Sequence, residues 1–245
     1  MLNFKNTQFI VLSCDNYLDS RVSVIRETWA INVNCVFLID SDLYGDPSLI
    51  GYNTPRTYDG IQEKYIKFFM NYNFEDFEYY FFTDDDTFVI TKNLENESVP
   101  DPDELFCLGR HLILTETGMD KWGNNTNYPS ERISGSDTHL PLNYLSGGSG
   151  FILPRKSCNA IKEYLKNKEP LDIPRSAHGD VSIGFWMRAC NINLIPSNNF
   201  WWATPEVLPN NTWEKYEDDG TALTFHYVSP QKMLELNSKY NLENN

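Results

Sequence analysis

Short apolar runs alternate with polar turns along the first half of the chain. Residues 9–12, Phe9-Ile-Val-Leu12, read as a buried strand that ends at Ser13. Val22, Ile25 and Trp29 then fall on one helical face, with Asp19 or Ser20 available as an N-cap. Residues 36–39 form a second apolar strand, followed by the acidic turn Asp40-Ser41-Asp42. A strand–helix–strand opening of this kind predicts an α/β domain with a mostly parallel, doubly wound sheet. After a loop over 44–59, Ile61, Tyr65, Phe68, Phe69 and Tyr72 are spaced for one buried helix face. Residues 79–82 are an aromatic strand that runs straight into Thr83-Asp84-Asp85-Asp86, and 106–109 is a further strand candidate.

The second half is patterned differently. Residues 115–143 are polar and rich in Gly, Asn, Pro and Ser, which predicts a long loop or irregular insert. Beyond it come a strand over 150–153, a helix over 154–166, a helix over 181–190 preceded by Asp180, an extended piece over 225–228 and a last helix opened by Pro230. No internal repeat and no linker interrupts the pattern, so residues 1–245 are expected to form a single domain.

Charge narrows the function classes. The formal net charge is −14, and such a surface repels nucleic-acid backbones and anionic lipid. It still admits a nucleotide, because a divalent cation can bridge acidic residues to a diphosphate. Cys14, Cys35, Cys107, Cys158 and Cys190 are odd in number and contain no C-x-x-C pair, which predicts free thiols rather than a disulfide framework or structural zinc. No apolar run approaches membrane-spanning length.

Four segments offer chemistry. Asp84-Asp85-Asp86 follows a strand, where ligands bind in open α/β sheets, and three adjacent acids repel one another unless a cation neutralises them. An acidic turn or helix cap is the plainer reading. Ser146-Gly147-Gly148-Ser149-Gly150 precedes a strand and permits close backbone approach to a ligand, or simply a turn. Asp180 stands where a helix N-cap belongs; a general base is the functional reading, and spacing alone favours the cap. His226, between Phe225 and Tyr227, is a core histidine or a metal ligand. Trp201, Trp202 and Trp213 suit core packing or stacking on a sugar ring.

Taken in order, these segments resemble the β1,3-glycosyltransferase family that contains Fringe and the core 1 β1,3-galactosyltransferase. The matching pieces are Arg21-Val-Ser-Val-Ile-Arg26-Glu-Thr-Trp29, Lys64-Tyr-Ile-Lys67, the Asp triplet with Thr87-Phe-Val89, Ser146-Gly147-Gly148-Ser149-Gly150, Asp180-Val-Ser-Ile-Gly184 and Phe225-His-Tyr-Val228. The Phe-His-Tyr-Val and Lys-Tyr-Ile-Lys pieces resemble the core 1 branch most. The resemblance implies a GT-A type fold, a UDP-sugar donor, Mn²⁺ (or Mg²⁺) dependence, a glycan, glycopeptide or other hydroxyl acceptor, and inversion with a β1,3 linkage. By position, it implies Asp84, Asp86 and His226 as metal ligands and Asp180 as catalytic base. Arg21, Asp40, Lys64, Asp84, Asp85, Gly147 and Gly148 are implied at the donor.

Galactose is the expected sugar, with Fringe-like N-acetylglucosamine transfer as the alternative and a non-catalytic chaperone or carbohydrate-binding relative as the competing class. The expected protein is soluble, cytoplasmic if microbial or viral and Golgi-lumenal if part of a longer lumenal enzyme. Oligomeric state is not legible.

Overall fold

In the computed structural model, residues 1–42, 45–115, 118–119, 133–201 and 220–241 are described. A seven-stranded sheet runs through the middle, in the order β13 (Asn193–Pro196), β6 (Phe106–Gly109), β11 (Phe151–Pro154), β4 (Tyr79–Asp84), β1 (Thr7–Leu12), β2 (Asn34–Ile39) and β3 (Leu49–Gly51). β1 is parallel to both β4 and β2, β2 to β3, and β6 to β13; β11 alone runs antiparallel to its two neighbours. The α/β class and the mostly parallel sheet expected from the opening pattern are therefore present.

Strand side chains alternate between the two faces of the sheet, and so does the core. Phe9, Val11, Phe37, Ile39 and Phe81 pack on one face with Val22, Ile25, Trp29 and Met233. Ile10, Leu38, Tyr80 and Phe82 pack on the other with Tyr65, Phe68, Phe69, Ile161 and Trp186. The first face is covered by α1 (Ser23–Glu27) and the C-terminal α6 (Pro230–Tyr240), whose N-cap Ser229 accepts from the Lys232 N–H. The second is covered by α2 (Tyr58–Asn71), α4 (Arg155–Lys166) and α5 (Gly179–Ala189). A short α3 (Thr91–Glu95) follows β5 (Phe88–Val89).

Three small sheets lie beside the main one. β7 (His111–Thr115) pairs antiparallel with β10 (Leu142–Leu145) and β8 (Gly118–Met119), and β9 (Ile133–Ser134) pairs with β12 (Arg175–Ser176). β15 (Thr224–Phe225) lies between β14 (Phe200–Trp201) and β5. The insert expected over 115–143 thus contains strand pairing at its ends, because its flanks find partners far along the chain; residues 116–117 and 120–132 lie outside the described residues. So do Trp202 and Trp213, while Trp201 is buried in the core.

Local geometry departs from the sequence expectation at two helix starts. Neither Asp19 nor Ser20 caps the first helix: a π-helical turn, Leu18–Val22, leads into α1, and the Ser20 hydroxyl bonds back to the Tyr17 carbonyl. The expected cap at Asp180 is also corrected. His178 occupies the N-cap position without a side-chain cap bond, and Asp180 lies inside the first turn. All five cysteines are free, as expected; Cys107 and Cys158 are fully buried and the others half-buried. Among the described residues no helix is long and apolar enough to cross a membrane.

Candidate active site

Register brings the strand ends level. Leu12 pairs with Asp84 on one side and with Leu38 on the other, so the carboxyl ends of β1, β2 and β4 open onto one edge. This edge is where ligands bind in open α/β sheets. The Asp85 N–H still donates to the Leu12 carbonyl at 3.1 Å, which holds the acidic triplet against β1 as it leaves the sheet.

His226 arrives by a separate route. β15 pairs with β5 through Phe225 opposite Phe88, two residues beyond Asp86. The Val228 N–H then donates to the Asp86 carbonyl at 2.8 Å, and the His226 N–H to the Trp201 carbonyl at 3.1 Å. The result places His226 Nε2 at 3.2 Å from Asp86 Oδ1 and 3.8 Å from Asp84 Oδ2. One donor atom from each of the three side chains lies within 4.8 Å of the others.

The glycine loop is delivered by β11, the one antiparallel strand of the seven-stranded sheet. Because β11 starts opposite Phe82, residues 147–150 lie beside the end of β4, where the Gly148 carbonyl accepts from the Thr83 hydroxyl at 3.5 Å. A Cβ at Gly148 would lie 2.0 Å from His226 Cε1, so the imidazole occupies the space a side chain would need. The Thr87 hydroxyl donates to the Gly148 carbonyl and ties this loop to the turn after the triplet. Gly150 has φ of +88°, a left-handed conformation that glycine adopts without steric cost.

Asp180 faces the same loop. Its Oδ2 accepts from the Gly147 N–H at 3.1 Å and its Oδ1 from the Val181 N–H at 2.9 Å. A Cβ at Gly147 would stand 3.0 Å from Asp180 Cβ. Asp180 is thus held by two backbone donors, one in the glycine loop and one in the first turn of its own helix, without occupying the N-cap position.

The remaining predicted residues form a charged chain behind the triplet. Asp85 is buried, its Oδ2 accepting from Ser13 at 2.6 Å and its Oδ1 from Arg21 at 2.5 Å. Arg21 also approaches Asp86 at 3.6 Å and lies over the Tyr17 ring, 4.2 Å from its centroid. Lys64 is buried, pairs with Asp40 at 2.8 Å and donates to the Ser13 carbonyl. All of the sequence-predicted site residues, from Arg21 to His226, border a single cavity of about 720 Å³.

Sequence reasoning missed Ser13, Tyr65 and His178, which line the same cavity. Ser13 carried a usable signal, since it ends a strand next to the acidic strand; the other two are placed only by helix packing. Arg56 reaches the cavity as well, through its 2.5 Å ion pair with Asp15.

Electrostatics separates the carboxylates. Burial pushes Asp84 up to about 7; His226 opposes the shift, while Asp86, Asp85 and Asp180 add to it. A third of the Asp84 side chain remains exposed, but toward the cavity, where other carboxylates crowd it. Asp85 is raised by burial and partly restored by Ser13 and Arg21. Asp86 goes the other way: burial presses its carboxyl upward, but the His226 hydrogen bond and the charges of His226 and Arg21 outweigh it and leave it below the usual range. Asp180 is raised by burial, against the lowering effect of the Gly147 N–H and His178.

Two carboxylate oxygens and an imidazole nitrogen, clustered beside Gly148, are a donor set able to hold a divalent cation. Arg21, Arg56 and Lys64 border the same cavity, each already paired with a carboxylate: Asp85, Asp15 and Asp40 respectively.

Residues 2–245 match the family model described as Fringe-like. Among solved structures, the chain is similar to a glycosyltransferase involved in the glycosylation of the major capsid of PBCV-1, at 13% identity and a TM-score of 0.48 over 95% of this chain and 98% of that one. It is also similar to the galactosyltransferase LgtC in complex with donor and acceptor sugar analogues, at 10% identity and a TM-score of 0.47 over 96% of each chain. A third is a Drosophila β1,4-galactosyltransferase 7 complex with manganese, UDP-Gal and xylobiose, at 10% identity and a TM-score of 0.40 over 92% of this chain and 72% of that one. Likeness at this level bears on neither substrate nor mechanism.

Proposed function

Because the chain belongs to the Fringe-like family of glycosyltransferases, we propose that it moves a hexose, galactose first, from a UDP-sugar to an acceptor hydroxyl with inversion, forming a β1,3 linkage. Residues 1–245 act as one catalytic domain in this reading. The observation that carries it is the convergence of Asp84, Asp86 and His226 on a cavity that also contains Asp180.

A divalent cation bound by Asp84, Asp86 and His226, Mn²⁺ by preference, would neutralise the diphosphate and stabilise the charge growing on departing UDP. Lys64 and Arg21 bind and orient the nucleotide, Arg21 while keeping Asp85 compensated. The backbone at Gly147 and Gly148 lets the transferred sugar approach without a side-chain clash. Asp180 accepts the proton of the acceptor hydroxyl as that oxygen bonds to the anomeric carbon from the face opposite UDP. The bond from the anomeric carbon to the phosphate oxygen breaks, and UDP leaves with its electron pair. Burial raises the Asp180 carboxyl and so makes its carboxylate a better proton acceptor near neutral pH.

A panel of UDP-sugars, assayed for UDP release with and without Mn²⁺, tests the reading. The expected result is Mn²⁺-dependent release, fastest with UDP-galactose; preference for UDP-N-acetylglucosamine would select the alternative donor. No release from any UDP-sugar would favour a non-catalytic carbohydrate-binding protein.

A further inference from the structure

Tyr65 lies where three parts of the site meet. It is buried on α2, one residue after Lys64 and four after Ile61, so Tyr65 and Ile61 share a helix face. Its ring centroid is 6.4 Å from that of Phe82, which is two residues before Asp84 on β4. On its other side the ring meets the first turn of α5. A Cβ added at Gly179 would be 2.7 Å from Tyr65 Cε2 and 2.8 Å from Ile61 Cγ2. Gly179 immediately precedes Asp180, and the backbone there is not in the left-handed region, so packing against Tyr65 and Ile61 is what excludes a side chain.

We infer that Tyr65 is a positioning residue for Asp180: its ring is the spacer that sets the distance between the acidic cluster at the end of β4 and the carboxylate at the start of α5. The inference rests on the proposed role of Asp180 as base. On the opposite side Asp180 abuts Gly147, whose missing Cβ and N–H define how far the carboxylate can move toward the loop. Asp180 therefore lies between the Gly147 loop on one side and, through Gly179, the Tyr65 ring on the other. Lys64 and Tyr65, adjacent on α2, give one helix contact with both halves of the site: Lys64 pairs with Asp40 on the nucleotide side, and Tyr65 packs behind the base. Removing the spacer lets the first turn of α5 settle toward β4, and a displacement of an ångström at a proton acceptor costs on the order of 100-fold in rate.

The test uses UDP-galactose with Mn²⁺, water standing in for the acceptor, and follows kcat for UDP release together with the Kd for UDP. Tyr65→Leu and Gly179→Ala should each lower kcat by about 10-fold to 100-fold with the UDP Kd unchanged within twofold. Tyr65→Phe, which keeps the ring, should retain kcat within about threefold. Wild-type kcat in Tyr65→Leu and Gly179→Ala, alongside an inactive Asp180→Asn, would overturn the spacer while leaving the base in place. Full turnover in Asp180→Asn would instead remove the base itself. A Tyr65→Phe variant as slow as Tyr65→Leu would shift the role from ring to hydroxyl and overturn the inference. Loss of UDP binding in both Tyr65→Leu and Gly179→Ala would overturn it too, by showing that the contact supports the whole fold rather than one carboxylate.

Discussion

Nε2 of His226 lies 3.2 Å from Oδ1 of Asp86, although nothing in the local chain path brings either residue toward the other. Two backbone pairings impose the contact: Phe225 opposite Phe88, and the Val228 N–H on the Asp86 carbonyl. These backbone pairings hold the imidazole against the acidic triplet.

Asp86→Ala should abolish Mn²⁺-dependent UDP release, with a fall in kcat/KM of at least about 100-fold, because a cation stabilising the departing diphosphate contributes several kcal/mol. The fold should persist, since the backbone bonds of residue 86 do not need its side chain. Unimpaired turnover in this variant, with circular dichroism confirming the fold, would show that the ion binds elsewhere.

Gly148→Ala tests how tightly the imidazole is seated. The added methyl would stand 2.0 Å from His226 Cε1, so the ring must turn away from Asp84 and Asp86. Mn²⁺ affinity should fall by about 10-fold to 100-fold, the usual cost of misorienting a metal-ligating histidine. Counting free Mn²⁺ by electron paramagnetic resonance during a titration measures this directly, and undiminished affinity would refute the steric argument.

Ion binding and metal-free stability should respond to pH in opposite senses. Asp84 must lose its proton to ligate a cation, and its carboxyl is pushed up to about 7. Mn²⁺ affinity should therefore weaken about fivefold between pH 7 and pH 6 from this group alone. For stability, the folded pKa of Asp84 lies above its unfolded value, so between the two the folded protein holds more protons. Unfolding free energy from this group then falls as pH rises from about 4 to about 7. Asp86, lowered in the fold, adds stability that is lost only as pH falls through its own, lower range. Asp84→Asn should flatten the slope between pH 4 and 7 and stabilise the metal-free protein at about pH 8. Urea unfolding of both proteins across that range checks the sign.

Lys64→Met should cost about 3 to 5 kcal/mol, since it leaves Asp40 buried without its 2.8 Å counter-charge. Adding Asp40→Asn should recover at least about 1 kcal/mol, because the uncompensated charge is then gone. Additive losses in denaturant unfolding would show that the pair is not coupled.

Apolar periodicity along the chain defined five of the seven strands of the main sheet and most of its helices, whereas β3 falls within the stretch read as a loop over 44–59 and β13 left no readable pattern. Residues 9–12, 36–39 and 79–82 lie within strands β1, β2 and β4, and Tyr65, Phe68 and Phe69 are buried on α2. These features are legible because a strand or helix face is set by the spacing of neighbours a few residues apart. The Asp triplet was legible for the same reason, as a cluster placed by one strand's end. The first helix was read less well: alternative local hydrogen bonding by Ser20 and the π-helical turn at Arg21 leave no pattern in apolar spacing.

What the chain by itself determined is therefore a list of groups and the strand ends that carry some of them. Which of these groups lie together was decided by tertiary structure alone. The antiparallel entry of β11 brings the Gly148 carbonyl onto Thr87, β15 brings His226 beside Asp86, and the placement of α5 lets Asp180 accept from the Gly147 N–H. Each of these contacts joins residues far apart along the chain, and their distances follow from how whole elements pack rather than from any local period.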